Sequence, residues 1–275
     1  MLTPVESSVD WMDPSFWMDF FTGMLKPLAA TAVVLMAVAL SFVQKLGLEG
    51  EMIYSVARSF LQLSVVGFLL QFLFTQKNVA WIVLVYLFMV TLAGYTAGQR
   101  AKHVPRGKSF AAVSILVGSG VAMFLLVILK IFPFTPRYII PVSGMVVGDA
   151  MTVTGVAMKN FRENVKNQKN LVETALALGA TPRQAMLQQV KRSLILALSP
   201  VMDKAKARGL ISLPGTMTGL IMGGVSPLEA VQLQIVVLNV RLGASVISSI
   251  LAVYLCWPAF FTKAYQLDYK VFSSD

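Results

Sequence analysis

The sequence predicts an all-α, polytopic integral membrane protein of about seven transmembrane helices, with the N-terminus outside and the C-terminus in the cytoplasm. Three observations carry this expectation. Of 275 residues, 56% are hydrophobic and 13% charged, and the mean hydropathy is +0.72, far too apolar for a domain with a wetted surface. Apolar runs close to the roughly 20 residues that a helix needs to cross the hydrocarbon recur along the chain. Short basic clusters stand between those runs, and such loop charge reports orientation. The net charge of +10 is divided among these clusters instead of forming one basic face with interleaved aromatics. The expected partner is therefore a lipid membrane and no nucleic acid.

Residues 1–26 carry Glu6, Asp10, Asp13 and Asp19 against the single Lys26. With no basic region before an apolar one, they predict an extracytoplasmic N-terminal segment and not a cleavable signal. A transmembrane domain is expected over 27–256, with spans near 27–43, 53–74, 79–97, 110–131 and 138–158. A cytoplasmic region at 159–209 follows, then spans at 210–226 and 229–256, and a cytoplasmic tail at 257–275. The loop 98–109 holds Arg100, Lys102, Arg106 and Lys108 without an acid, and 159–209 is rich in Lys and Arg. Both belong on the cytoplasmic side. The apolar run 193–202, between Lys191-Arg192 and Asp203-Lys204, is too short to cross and predicts an interfacial piece or the buried extension of a cytoplasmic helix. The span at 210–226 contains Pro214, Gly215, Gly219, Gly223 and Gly224. It predicts a broken helix facing protein or a water-filled path, or small residues that let helices pack closely. Cys256 is the single cysteine and reads as a small hydrophobe; His103, the single histidine, reads as solvated.

The stretch "ETALALGATPRQAM", 173–186, is punctuated like a soluble protein. The helix "NLVETALAL" meets Gly179, the residue best able to end it in the left-handed conformation. A second helix begins at once, with Thr181 as N-cap, Pro182 at the first helical position and Gln184 completing a capping box. Two helices joined by a two- or three-residue corner are expected, with Thr174, Ala175, Ala177, Leu178, Ala180 and Met186 giving a small, mildly apolar surface. Such a surface docks a partner or is an ordinary loop. It has neither a nucleophile with a base nor a carboxylate cluster, so it is not catalytic.

Ionisable residues within spans are expensive and mark function by default. Arg58 is shallow enough for its side chain to snorkel. Asp149 and Arg241 lie at matching depths, because the last long helix starts at a clear signal, Ser226 with Pro227 and Glu229. They are expected to pair, either beside the transport path or as a structural link. Gln62, Asn239, Gln232, Gln234, Thr152 and Thr154 could line a polar route, though such residues also serve as interhelical glue. The 15 methionines are scattered, without metal-ligand spacing, so no metal site is expected. "GKS" at 107–109 has Lys102 where a phosphate-binding loop needs glycine and a transmembrane span where it needs a strand. The chain itself is therefore not expected to bind a nucleotide or any cofactor.

The run Glu173, Thr174, Ala175 with Gly179 resembles the E-A-A-x-x-x-G loop of ABC-transporter membrane subunits, departing at Thr174, where that family has alanine. "IPVSGMVVGDAM" at 140–151 and "ISLPGTMTGLIMGG" at 211–224 extend the resemblance to the permeases of bacterial iron exporters and plant aluminium-tolerance proteins. The bacterial branch tends to have asparagine where this chain has Asp149. The resemblance implies a transporter subunit that is not itself an enzyme. It implies that 159–209 is a coupling region, in which Glu173, Thr174, Ala175, Gly179, Ala180, Thr181, Pro182 and Gln184 meet a separate ATP-binding subunit carrying ATP and Mg. It further implies a permease homodimer and a role in metal tolerance. A translocation path would use Asp149, Arg241, Gln62, Asn239, Thr152, Pro214 and Gly215. The cargo stays open between a metal species and a nucleotide sugar such as UDP-glucose. A secondary transporter coupled to an ion through Asp149 and a non-transporting scaffold are the competing readings.

Overall fold

The structure is a computed structural model that describes residues 14–75, 79–102, 104–132, 134–209, 212–262, 265–268 and 271. Glu6, Asp10, Asp13, His103, Lys263 and Lys270 lie outside the described residues. Every long element is a helix, as the composition demands: a backbone in hydrocarbon must satisfy its own hydrogen bonds. Among the described residues, six helices are long and apolar enough to cross a membrane.

The chain divides into two compact units, residues 1–72 and 73–275. The first consists of α1, Pro14–Val43, and nearly all of α2, Glu49–Thr75. A short connection, with Lys45 and Gly47 at positive φ, turns the chain, and Ser41 Oγ donates to Glu49 Oε1 at 3.0 Å across it. Large apolar side chains such as Leu35, Met36, Phe42, Leu61 and Leu63 are exposed on both helices.

The second unit has a packed core. Helices α3, Val79–Arg100, and α4, Gly107–Ile128, pack closely, and Tyr86 Oη lies 2.7 Å from Ser119 Oγ. At the basic turn between them, Lys108 Nζ sits 4.3 Å from the centre of the Tyr95 ring, a cation–π contact. Helix α5, Pro136–Asn167, is the central element, with Val146, Ala150, Ala157, Met158, Phe161 and Val165 fully buried. Helix α9, Pro227–Cys256, packs against α4 and α5. At Gly118 of α4 a Cβ would stand 2.1 Å from Ser248 Oγ and 2.8 Å from Ser248 N of α9, so only glycine permits this helix approach. Asp149 meets Arg241, and the Phe161 and Phe260 rings meet edge to face at 5.1 Å. Helices α5 and α9 therefore run in the same direction.

Two parallel helices oblige the chain to return the length of the bundle between them, and the returning element differs from the one predicted. The expected span at 210–226 is the eight-residue α8, Gly215–Met222, only about 12 Å long at 1.5 Å per residue. The return is made by α7, Pro182–Ala207, 26 residues and about 39 Å long, packed along α5. The run 193–202 is the middle of this continuous helix, with Ser193 and Ala197 buried. Hydropathy hides α7 because Arg183, Lys191, Arg192, Asp203, Lys204 and Lys206, all at exposed positions, lower the average of its run.

Candidate functional site: a capped corner and an interhelical ion pair

Helix α6, Lys169–Ala177, and α7 form the predicted corner. Gly179 has φ +89°. Its N–H donates to Leu176 O and that of Ala180 donates to Ala175 O, both at 3.0 Å, the double bond that closes a Schellman end. The capping box is complete: Thr181 N donates to Gln184 Oε1 at 2.9 Å and Gln184 N to Thr181 Oγ1 at 3.4 Å, with Pro182 in the first turn of α7. Thr174 Oγ1 turns back to Asn170 O at 2.8 Å, so its hydroxyl is spent within α6. Glu173, Ala175 and Ala180 are half-buried. Leu178 is the prominent apolar group, 83% exposed at the tip. Met186 departs from the expectation: at 1% exposure it is part of the core, because it lies on the face of α7 that packs inward with Ala185, Gln189 and Val190. The corner is anchored from below by that face and presents only α6's end and the cap.

The ion pair is the second feature. Arg241 Nε donates to Asp149 Oδ2 at 2.7 Å and Nη2 to Oδ1 at 3.0 Å. This two-pronged geometry suits a guanidinium and a carboxylate. The side chains are 20% and 35% exposed, so the pair borders accessible space. Thr152 and Asn239 are exposed on the same two helices, with Thr152 Oγ1 donating to Gly148 O. Thr154 points inward and its hydroxyl is buried without a partner. Gln62 is exposed on α2 in the first unit. Pro214 caps α8 and Gly215 opens it, close to α9, where Thr216 Oγ1 donates to Gln234 Oε1. What sequence reading missed is the joint of α7, α8 and α9: Arg208, assigned to a cytoplasmic region, shares a pocket with Gln234. Only the unbroken helical run of α7 would have betrayed it. Among the described residues, no three of His, Cys, Asp and Glu gather as a metal-ion site requires.

The fold and these features define an all-α polytopic integral membrane protein whose core helices carry a buried-edge ion pair and end in a rigid helical corner. The chain belongs to the family described as Uncharacterised protein family (UPF0014), whose model matches residues 24–261. It is 70% identical to UPF0014 membrane protein STAR2 of Oryza sativa subsp. japonica, covering all of this chain and 96% of that one. It is also 70% identical to Protein ALUMINUM SENSITIVE 3 of Arabidopsis thaliana, over 93% of this chain and 94% of the relative. It is 34% identical to the probable iron export permease protein FetB of Escherichia coli (strain K12), over 86% and 92% respectively. No solved structure matches the chain.

Proposed function

We propose that this protein is the membrane subunit of a transporter powered by a separate ATP-hydrolysing subunit, which docks on the α6–α7 corner. The observation that carries the reading is the corner itself. It is locked by a Schellman end on one side and a capping box on the other, and it offers an exposed Leu178 at the tip. A docking element must be rigid to pass on force, and α7 continues from it along α5, the helix that holds Asp149. Movement of the corner would therefore reach the ion pair through packed helices. The permease named among the bacterial relatives supports the transport class, and the name of the Arabidopsis relative supports a role in aluminium tolerance. One corner per chain suits a pair of permeases on a pair of ATPases. The cargo is a metal species or a nucleotide sugar.

Reconstitution tests this reading. The purified chain in liposomes should transport only when its ATPase partner and ATP are added, and Leu178→Asp should abolish ATPase binding while the bundle stays folded. Transport driven by a proton or cation gradient without the ATPase would instead favour ion coupling through Asp149. No transport under either condition would favour a scaffold.

A further inference from the structure

The joint of α7, α8 and α9 holds a pocket of about 200 Å³ that the ion pair and the corner do not account for. Its walls are apolar, including Leu213, Met217, Ile235 and Leu238, except for Arg208 and Gln234. Gln234 is only 8% exposed. Its Oε1 accepts from Thr216 Oγ1, which turns the Nε2 amide towards a position where it is buried with no partner. A buried donor left unpaired is costly and asks for an acceptor. Arg208 is half-buried beside it, with no carboxylate within ion-pair distance among the described residues; the nearby Asp203 is paired with Lys206 at 3.6 Å. Both polar side chains that line this pocket thus carry a donor, one of them charged.

Depth adds a constraint. Gln234 stands seven residues, about 10 Å, before Arg241 on α9, on the side of the ion pair away from the corner. Arg208 caps the far end of α7 beside it, so a cation and an amide nitrogen without an acceptor stand together at this end of the bundle. The volume lies below the roughly 300–1,000 Å³ that encloses a drug-sized ligand, so the pocket takes a head group and not a whole large solute.

We propose that Arg208 and Gln234 form a seat for a single oxyanion group, a carboxylate or phosphate, carried on a small or apolar body. The guanidinium supplies the charge and the Gln234 amide a second donor. The seat rests on the transport reading where its occupant is the cargo; a phospholipid phosphate offers the same chemistry from the bilayer.

The test uses the full chain, delipidated in neutral detergent, with hexyl phosphate as probe and no ATPase or ATP. Hexyl phosphate should bind and raise the Tm. Gln234→Glu keeps an oxygen for Thr216 and swaps the amide donor for a repelling acceptor, so it should weaken binding at least tenfold, as should Arg208→Gln. Lys206→Gln, which changes a neighbouring exposed cation, should bind as the unaltered protein does. Each variant is first shown to be monodisperse, and Gln234→Glu alone decides the matter if Arg208→Gln does not fold. Nanodiscs of phosphatidylcholine with and without phosphatidic acid separate the sources: competition by phosphatidic acid assigns the seat to lipid, and its absence to a solute, each supporting an oxyanion seat. Absence of hexyl phosphate binding, or equal binding by Gln234→Glu, overturns it. Because no ATPase is present, that result leaves ATP-driven transport standing, and failure of ATP-driven transport leaves a measured Gln234-dependent affinity standing.

Discussion

The α1–α2 pair and the helices α3, α4, α5 and α9 of the bundle are similarly apolar in sequence and yet are built differently. In α1 and α2 only 6% of each most apolar window is buried, whereas more than half of that of α5 is. Leu35, Leu40, Leu61 and Val65 of the first unit find no core, while Ala150, Ala157, Met158 and Phe161 of α5 are sealed. The contrast teaches that a helix can be apolar for two reasons. The first pair is apolar so that lipid or another protein can cover it, and the bundle so that its helices can approach one another. Small residues mark the second kind: among lipid tails, packing and interhelical hydrogen bonds hold helices together where the hydrophobic effect cannot.

The sharpest way to break the bundle is to unpair its charges. Asp149→Leu should leave Arg241 uncompensated and lower stability by about 3 kcal/mol, the lower end for a broken buried pair because the carboxylate is about a third exposed. The thermal midpoint in detergent reports the loss. Asp149→Arg with Arg241→Asp should recover much of it, and a double variant no better than the singles would sink the pairing as a source of stability. Next in size is the same substitution made in each region. Gly118→Val, which collides with the Ser248 backbone, should cost at least about 1–3 kcal/mol. Gly67→Val on α2, whose Cβ would meet nothing within 4 Å, should leave the midpoint almost unchanged. Equal losses at the two positions would show that α2 is packed as tightly as α4.

Smaller effects belong to the corner. Thr181→Ala removes the capping oxygen from Gln184 N and should cost about 1 kcal/mol, seen as faster amide exchange in the first turn of α7. Gly179→Ala forces a side chain onto a φ of +89° and should cost about 1 kcal/mol as well. Both should loosen ATPase binding without unfolding the bundle. The smallest change is Lys206→Ala. It breaks only the exposed pair with Asp203 and should move stability by less than about 0.5 kcal/mol.

The corner and the last helix were legible residue by residue, because capping is local chemistry. Thr181, Pro182 and Gln184 satisfy the free N–H groups of their own helix end, and Ser226 accepts from Glu229 N in the same way. The Asp149–Arg241 contact, 92 residues apart, could be read only because two helix starts set two depths. Where that local ruler failed, so did the reading. The helix that returns along α5 carries six charged residues, all at exposed positions, and its inward face is covered by neighbours that hydropathy does not see. Met186 was misplaced for a similar reason: its apolarity was plain, but which face of α7 turns inward is decided by α5.

By itself, then, the sequence determined that the chain is helical and membrane-embedded, where several helices begin and end, and that a rigid corner stands between α6 and α7. Those properties follow from transfer free energy summed over a segment and from hydrogen bonds between near neighbours. Only the tertiary structure decided that α5 and α9 run parallel, that α7 and not 210–226 makes the return, and that Arg208 meets Gln234 in one pocket. These depend on which helix faces which, and that is settled by close packing between residues far apart in the chain, such as Gly118 against Ser248, where a single methyl group would not fit.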